Sequence, residues 1–149
     1  MRLFLFLISI IFAVSCGGRA PAEVTITVPG DEMKFDKDEL RVKADTHVIL
    51  TLINQSTLPT MKHNVLIYDL QGEPRAKALD RVGELAFKAG EASQYIPQVP
   101  GLIAHTPLAD PGQTVKIEFD APPPGEYLFM CTFQPAHYKT MNGRFIVEK

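Results

Sequence analysis

Residues 125–149 read GEYLFMCTFQPAHYKTMNGRFIVEK, and their order is strand, loop, strand. Tyr127, Phe129 and Cys131 alternate with Glu126, Leu128 and Met130, so they share one face of a strand that follows the turn Pro122-Pro123-Pro124. CTFQPAHYKTM breaks the alternation and reads as a tight loop; NGRFIVEK closes the chain as a further strand. The same period of two recurs upstream. Val24, Ile26 and Val28 alternate with threonines, ELRVK (39–43) follows the charged turn DKDE, and HVILTLIN (47–54) puts Val48, Leu50 and Leu52 on one face. HNVLIYDL (63–70) sets His63, Val65 and Ile67 on one side, and QTVKIEFD (113–120) alternates Val115, Ile117 and Phe119 with polar partners. MKF (33–35) is a short strand candidate, and NQSTLPT (54–60) is a loop. About eight short strands separated by turns predict an all-β protein, a Greek-key sandwich or barrel.

One segment breaks the β rhythm. PRAKALDRVGELAFKA (74–89) has Leu79, Val82, Leu85 and Ala86 at helical spacing, with Pro74 near the start and Gly90 after the end. It predicts one short helix, a flap over one side of the barrel. At 149 residues the chain has room for one domain, and 46% hydrophobic with 21% charged residues is an ordinary globular composition. A formal charge of −2 excludes a phosphate-binding basic surface, hence nucleic acid.

The N-terminus has its own logic. Arg2 precedes the apolar run LFLFLISIIFAVS, too short for a membrane span of about 20 residues but suited to a secretory signal. Ala13-Val14-Ser15-Cys16 resembles a bacterial lipobox, in which the cysteine is lipidated and becomes the mature N-terminus. The expected organisation is therefore a signal peptide at 1–15, a lipidated tether at 16–22 and one domain at 23–149. An exported, membrane-anchored protein facing the periplasm or cell exterior follows. Of the two cysteines, lipidation of Cys16 leaves Cys131 without a partner, and a lone thiol in an oxidising compartment is either buried and inert or occupied.

An occupant can be named by chemistry. Cys131, His137 and Met141 fall within eleven residues, and His63 comes from a separate strand. Two imidazoles and a thiolate in a plane, with a weak axial thioether, form the blue-copper electron-transfer site. The bland alternative is four unrelated residues with Cys131 a core thiol. The remaining polar candidates read as structural. His105 and His47 are expected to be solvated, Met61 to pack, and Asp36, Asp38 and Glu39 to form a solvated turn rather than an acid–base pair.

The chain as a whole resembles the cupredoxin family, and within it the azurin-like members. The resemblance is carried by EMKFDKDELRVKADTHVILTLINQSTLPTMKHNVLIYD, by the helical insert before Ile103-Ala104-His105-Thr106, and by the terminal CTF…H…M…G. It implies a mononuclear copper with His63, Cys131 and His137 as equatorial ligands, Met141 axial, and a weak contact from the Lys62 backbone carbonyl. It also implies that Asn64 bonds the Thr132 region and ties the two ligand loops together. The sequence departs from azurins in having five rather than four residues between the cysteine and the second histidine, and in lacking cysteines for their disulfide.

Two functions compete at this stage. A copper cycling between Cu(I) and Cu(II) makes an electron carrier, since four protein ligands leave no open catalytic position. A carrier or store that delivers copper to another protein is the alternative, hinted at by Met61. A Cys131–His137 hydrolase lacks an orienting acid and an oxyanion motif. The implied partners are redox proteins, such as a cytochrome or a copper or haem reductase or oxidase, met by a monomer that takes no small-molecule substrate. Pro59, Met61, Pro135, Ala136 and Tyr138 are expected to form a small apolar docking patch around the exposed edge of His137.

Overall fold

The structure is a computed structural model and describes residues 20–149. The expected signal peptide, Cys16 and most of the expected tether lie outside the described residues. Eight strands are present among the described residues: β1 (Ala22–Val28), β2 (Glu39–Lys43), β3 (His47–Asn54), β4 (Leu66–Tyr68), β5 (Leu102–His105), β6 (Thr114–Asp120), β7 (Gly125–Met130) and β8 (Asn142–Glu148). Two helices interrupt them, α1 (Arg75–Ala89) and α2 (Pro135–Thr140). One sheet has the order β1-β3-β6 and the other β2-β8-β7-β4-β5. No described helix is long and apolar enough to cross a membrane.

The alternating residues meet between the sheets. Ile26 and Val28 of β1 and Val48, Leu50 and Leu52 of β3 pack against Leu40, Val42, Phe129, Phe145 and Val147 from the other sheet. Burying each such side chain stabilises the fold by roughly 1.5–3 kcal/mol. Register fixes which face this is. In the parallel pair β1–β3, Val24 lies beside Leu50 and Ile26 beside Leu52; in β3–β6, Leu50 lies opposite Ile117.

β7 is buried on both faces, which the alternation alone does not convey. Its odd residues face the sandwich, while Leu128 and Met130 join Leu66 and Tyr68 of β4 in a second core beneath α1. The helix spans almost the residues expected, and Gly90 ends it with φ 73°. Its buried stripe is Ala78, Val82, Gly83 and Ala86 rather than one built on Leu79 and Leu85. Small residues occupy the contact line because the helix lies close to what it covers; Leu79 flanks it.

Three further expectations change. MKF (33–35) is not a strand: Phe35 is buried against Phe129, with ring centroids 5.8 Å apart, while the chain is pinned by Asp36 N donating to Thr27 O and Thr27 N to Asp36 Oδ1. The strand expected at 63–70 shrinks to Leu66–Tyr68, and His63 sits instead in an isolated antiparallel bridge with Ala109. The last unforeseen strand is β5, which pairs with β4 across an irregular register and has no alternating burial.

His47 is exposed, as expected, but it is not free. Its Nδ1 lies 3.0 Å from Asp120 Oδ1 and its Nε2 3.0 Å from Glu118 Oε2, both on β6. Hydrogen bonds to these carboxylates, Asp120 first, raise its pKa above 6.5. A raised folded value means that the stabilisation is fully present below the unfolded value of about 6.5 and is lost as pH rises through the folded value. Thermal unfolding should therefore find His47→Asn destabilising at pH 5.5–6 and nearly neutral at pH 9. A penalty that is the same at both pH values would contradict the assignment.

Candidate metal centre

Three segments converge at one end of the sandwich. Cys131 follows directly from β7, so its buried side chain continues the inward face of Tyr127 and Phe129. His63 is held by its bridge, with His63 N donating to Ala109 O and Ala109 N to His63 O. His137 lies on α2, where the sequence suggested only a loop; six residues with proline at the first turn give too short a periodicity to announce a helix.

The side chains of His63, Cys131 and His137 present ligand atoms that all lie within 4.8 Å of one another. Cys131 Sγ is 3.8 Å from His63 Nδ1 and 3.6 Å from His137 Nδ1. The imidazole centroids are 5.0 Å apart. Exposure is 0% for His63 and Cys131 and 3% for His137, the most accessible of the three. Met141 is fully buried, and its backbone is bonded to two of the others: Cys131 N donates to Met141 O, and Met141 N to His137 O.

The electrostatics suit a cation. Burial lowers both histidines to about 4, so at neutral pH the imidazoles are uncharged and each offers a nitrogen lone pair. Burial also pushes the Cys131 thiol up to about 11. A metal reverses that, because a coordinating thiol is deprotonated outright. His63 Nδ1 is the nitrogen turned to the sulfur, and its Nε2 is buried without a hydrogen-bond partner among the described residues. Two nitrogens and one sulfur at this spacing fit a borderline-soft transition metal and not a hard cation.

Asn64 binds the two ligand segments together. Thr132 N donates to Asn64 Oδ1 at 2.8 Å, and Asn64 Nδ2 donates to Thr132 Oγ1 at 2.9 Å. The same pair also grips residues that sequence reasoning missed. Asn64 Nδ2 donates to Gln94 O and Thr132 Oγ1 to Tyr95 O. Gln94 and Tyr95 both have positive φ (55° and 59°), a costly conformation for non-glycine residues that the surrounding bonds maintain. The Tyr95 ring stands edge-on to Phe133, and Phe133 edge-on to His137, with centroids 5.3 Å apart in each pair. The three-ring contact crosses loops far apart in sequence, and no local pattern could have announced it.

The other sequence candidates fall around this centre. The Lys62 side chain pairs with Asp110 at 3.1 Å, and its backbone leads directly into His63. Pro59, Pro135 and Ala136 are exposed and Met61 is half-buried. Tyr138 is a correction: expected at the surface, it is 5% exposed and belongs to the core beneath α1. His105 is exposed, with its Nδ1 near the Thr106 carbonyl, and is not part of the cluster.

Comparison with known proteins agrees with this chemistry. The sequence profile of a family described as copper binding proteins, plastocyanin/azurin family, matches residues 22–148. Auracyanin-A of Chloroflexus aurantiacus is 36% identical over 132 residues, 88% of this chain and 77% of that protein. The solved structure of auracyanin A, a "blue" copper protein from that bacterium, superposes with a TM-score of 0.75 at 32% identity, covering 87% of this chain and all of that one. Reduced auracyanin from Roseiflexus castenholzii also gives a TM-score of 0.75 at 32% identity, over 88% of this chain and all of its own.

Removing the Asn64 carboxamide tests the tie between the loops. Asn64→Leu leaves the buried Thr132 N–H without an acceptor, which costs about 1–3 kcal/mol. Urea unfolding of the metal-free protein should register that loss. An unchanged midpoint would mean that the two loops are held by something else.

Proposed function

The chain belongs to the plastocyanin/azurin family of copper-binding proteins, and from that premise we propose how it serves as a blue-copper electron-transfer protein. His63, Cys131 and His137 hold one copper, which when bound supplies a one-electron couple. The observation that carries the reading is the convergence of two neutral imidazoles and one buried thiol, with donor atoms all within 4.8 Å of one another. A carrier needs little rearrangement between its two oxidation states, and the chain's part is to hold the ligand side chains still.

The finer assignments rest on placement. Met141 would add a thioether donor: it is buried in the same core as Cys131 and bonded through its backbone to both Cys131 and His137. The Lys62 carbonyl, next to the anchored His63, would be a further weak donor. Asn64 and Thr132 orient the ligands rather than bind the metal, as outer partners of metal sites commonly do. Electrons leave through His137, the most exposed of the three clustered ligands. Pro135 and Ala136, just before it in the chain, are exposed, as are Leu58 and Pro59 on the loop before His63, with Met61 half-buried; together they would make a small apolar patch. A patch with few charges suits a brief encounter with a redox protein, for which small interfaces suffice. Lipid on Cys16 would confine that search to an extracytoplasmic membrane surface.

The reading is tested by titrating the purified chain with Cu(II) and recording the visible spectrum. One equivalent should produce an intense thiolate-to-copper band that bleaches and returns on cycling with a reductant and an oxidant. Cys131→Ser should lose the band and keep the fold, because a hydroxyl is a hard and poorly ionised replacement. A strong band in Cys131→Ser would overturn the ligand set, and tight Cu(I) binding without reversible cycling would favour copper delivery instead.

The docking patch has its own test. Ala136→Asp should slow electron self-exchange, measured by NMR line broadening in mixtures of the two oxidation states, while the spectrum stays nearly the same. An undiminished rate would remove the patch as the electron exit.

A further inference from the structure

α2 cannot hold itself in place. It is six residues long, its N-cap residue Gln134 makes no side-chain capping bond, and a helix this short is unstable alone. Yet it carries His137, whose position relative to Cys131 defines one side of the metal cluster. What fixes it is α1, through two contacts.

The first is Tyr138 against Gly83. Tyr138 is buried with Ala78 and Val82 in the core beneath α1. A Cβ built on Gly83 would lie 2.5 Å from both Cγ and Cε1 of the Tyr138 ring, so the ring occupies the space that any larger residue would need. Glycine is otherwise a poor choice in a helix interior, where alanine is the better helix former. The second contact closes the other end of α2. Arg75 Nη2 donates to Asn142 Oδ1 at 2.7 Å, and Asn142 Nδ2 donates to Tyr138 O at 2.9 Å. α1 itself rests on Leu66 and Tyr68 of β4 and on Leu128 and Met130 of β7. These strands lie just after His63 and just before Cys131 in the chain.

We propose that Gly83 and Tyr138 are a positioning pair, through which α1 acts as a splint that fixes His137 against Cys131 and so sets the affinity and geometry of the copper site. The proposal rests on the copper reading above. Neither residue belongs to the cluster of donor side chains. Gly83 permits the close approach, Tyr138 fills it, and the backbone of α2 transmits the contact to the next residue, His137. Five residues separate Cys131 from His137, and the splint gives that span one position.

The experiment is a double-mutant cycle on the full chain. Gly83→Ala should lower copper affinity about tenfold or more, the size of effect seen when partners of metal ligands are disturbed. It should also shift the relative intensities of the thiolate-to-copper bands. In a Tyr138→Ala background, where the ring is gone, Gly83→Ala should add nothing. Tyr138→Leu, which cannot clash, should loosen the site by itself and serves if Gly83→Ala fails to fold. The metal-free chain gives an independent readout: amide exchange across residues 136–141 should quicken about tenfold in Tyr138→Leu, while His63 and Ala109, whose amides bond each other's carbonyls, stay protected. A wild-type chain that takes up no coloured copper would defeat the copper reading, and the exchange measurement would still judge the splint. Wild-type affinity and spectrum in Gly83→Ala, or the same effect of that substitution in both backgrounds, would overturn the proposal.

Discussion

The Asn64 carboxamide and the Thr132 backbone and hydroxyl form a small reciprocal bond, and the rest of the site depends on it. Asn64 follows His63, and Thr132 follows Cys131, so the bond sets two ligand-bearing segments at a fixed separation. The segments are 68 residues apart in sequence, and the pairing of β4 with β7 brings them near. Both residues are buried, so water cannot substitute for either partner and the bond has no cheap alternative. Through their outer atoms the same two residues hold Gln94 and Tyr95 in left-handed conformations, which places an aromatic wall against Phe133.

Around that bond the architecture divides its work. The sandwich supplies rigidity: two apolar faces close-pack from β1 and β3 on one side to β2, β7 and β8 on the other. The second core beneath α1 supplies a fixed platform for α2. His137, which lies on α2 and in neither a strand nor a bridge, is thereby given a support of its own. Burial then keeps both imidazoles neutral and leaves the thiol protonated until a cation arrives. Selectivity follows from the donor set, since nitrogen and sulfur at this spacing disfavour hard cations.

Most of this fold is legible in the sequence because most of its strands face the core on one side only. HVILTLIN and QTVKIEFD alternate cleanly and became β3 and β6. β5 escaped because LIAH is half-buried throughout and borrows its register from β4 across an irregularity. MKF misled in the other direction: Phe35 is buried by a loop held through Asp36, and alternation over three residues cannot separate that from a strand. At the site, residue chemistry together with family resemblance brought out His63, Cys131 and His137, because thiolate and imidazole are few in this chain. Tyr138 was misjudged as exposed because what buries it is the absence of a side chain at Gly83, 55 positions earlier. No local pattern reports a space left in a distant helix.

The central claim is that the protein, not the metal, determines where the ligands stand. X-ray absorption at the copper edge, recorded on one loaded sample before and after chemical reduction, tests it most directly. The account predicts two nitrogen neighbours and one short sulfur neighbour in both oxidation states, at nearly the same distances. Loss of a histidine on reduction, or a change in the number of sulfur neighbours, would contradict it.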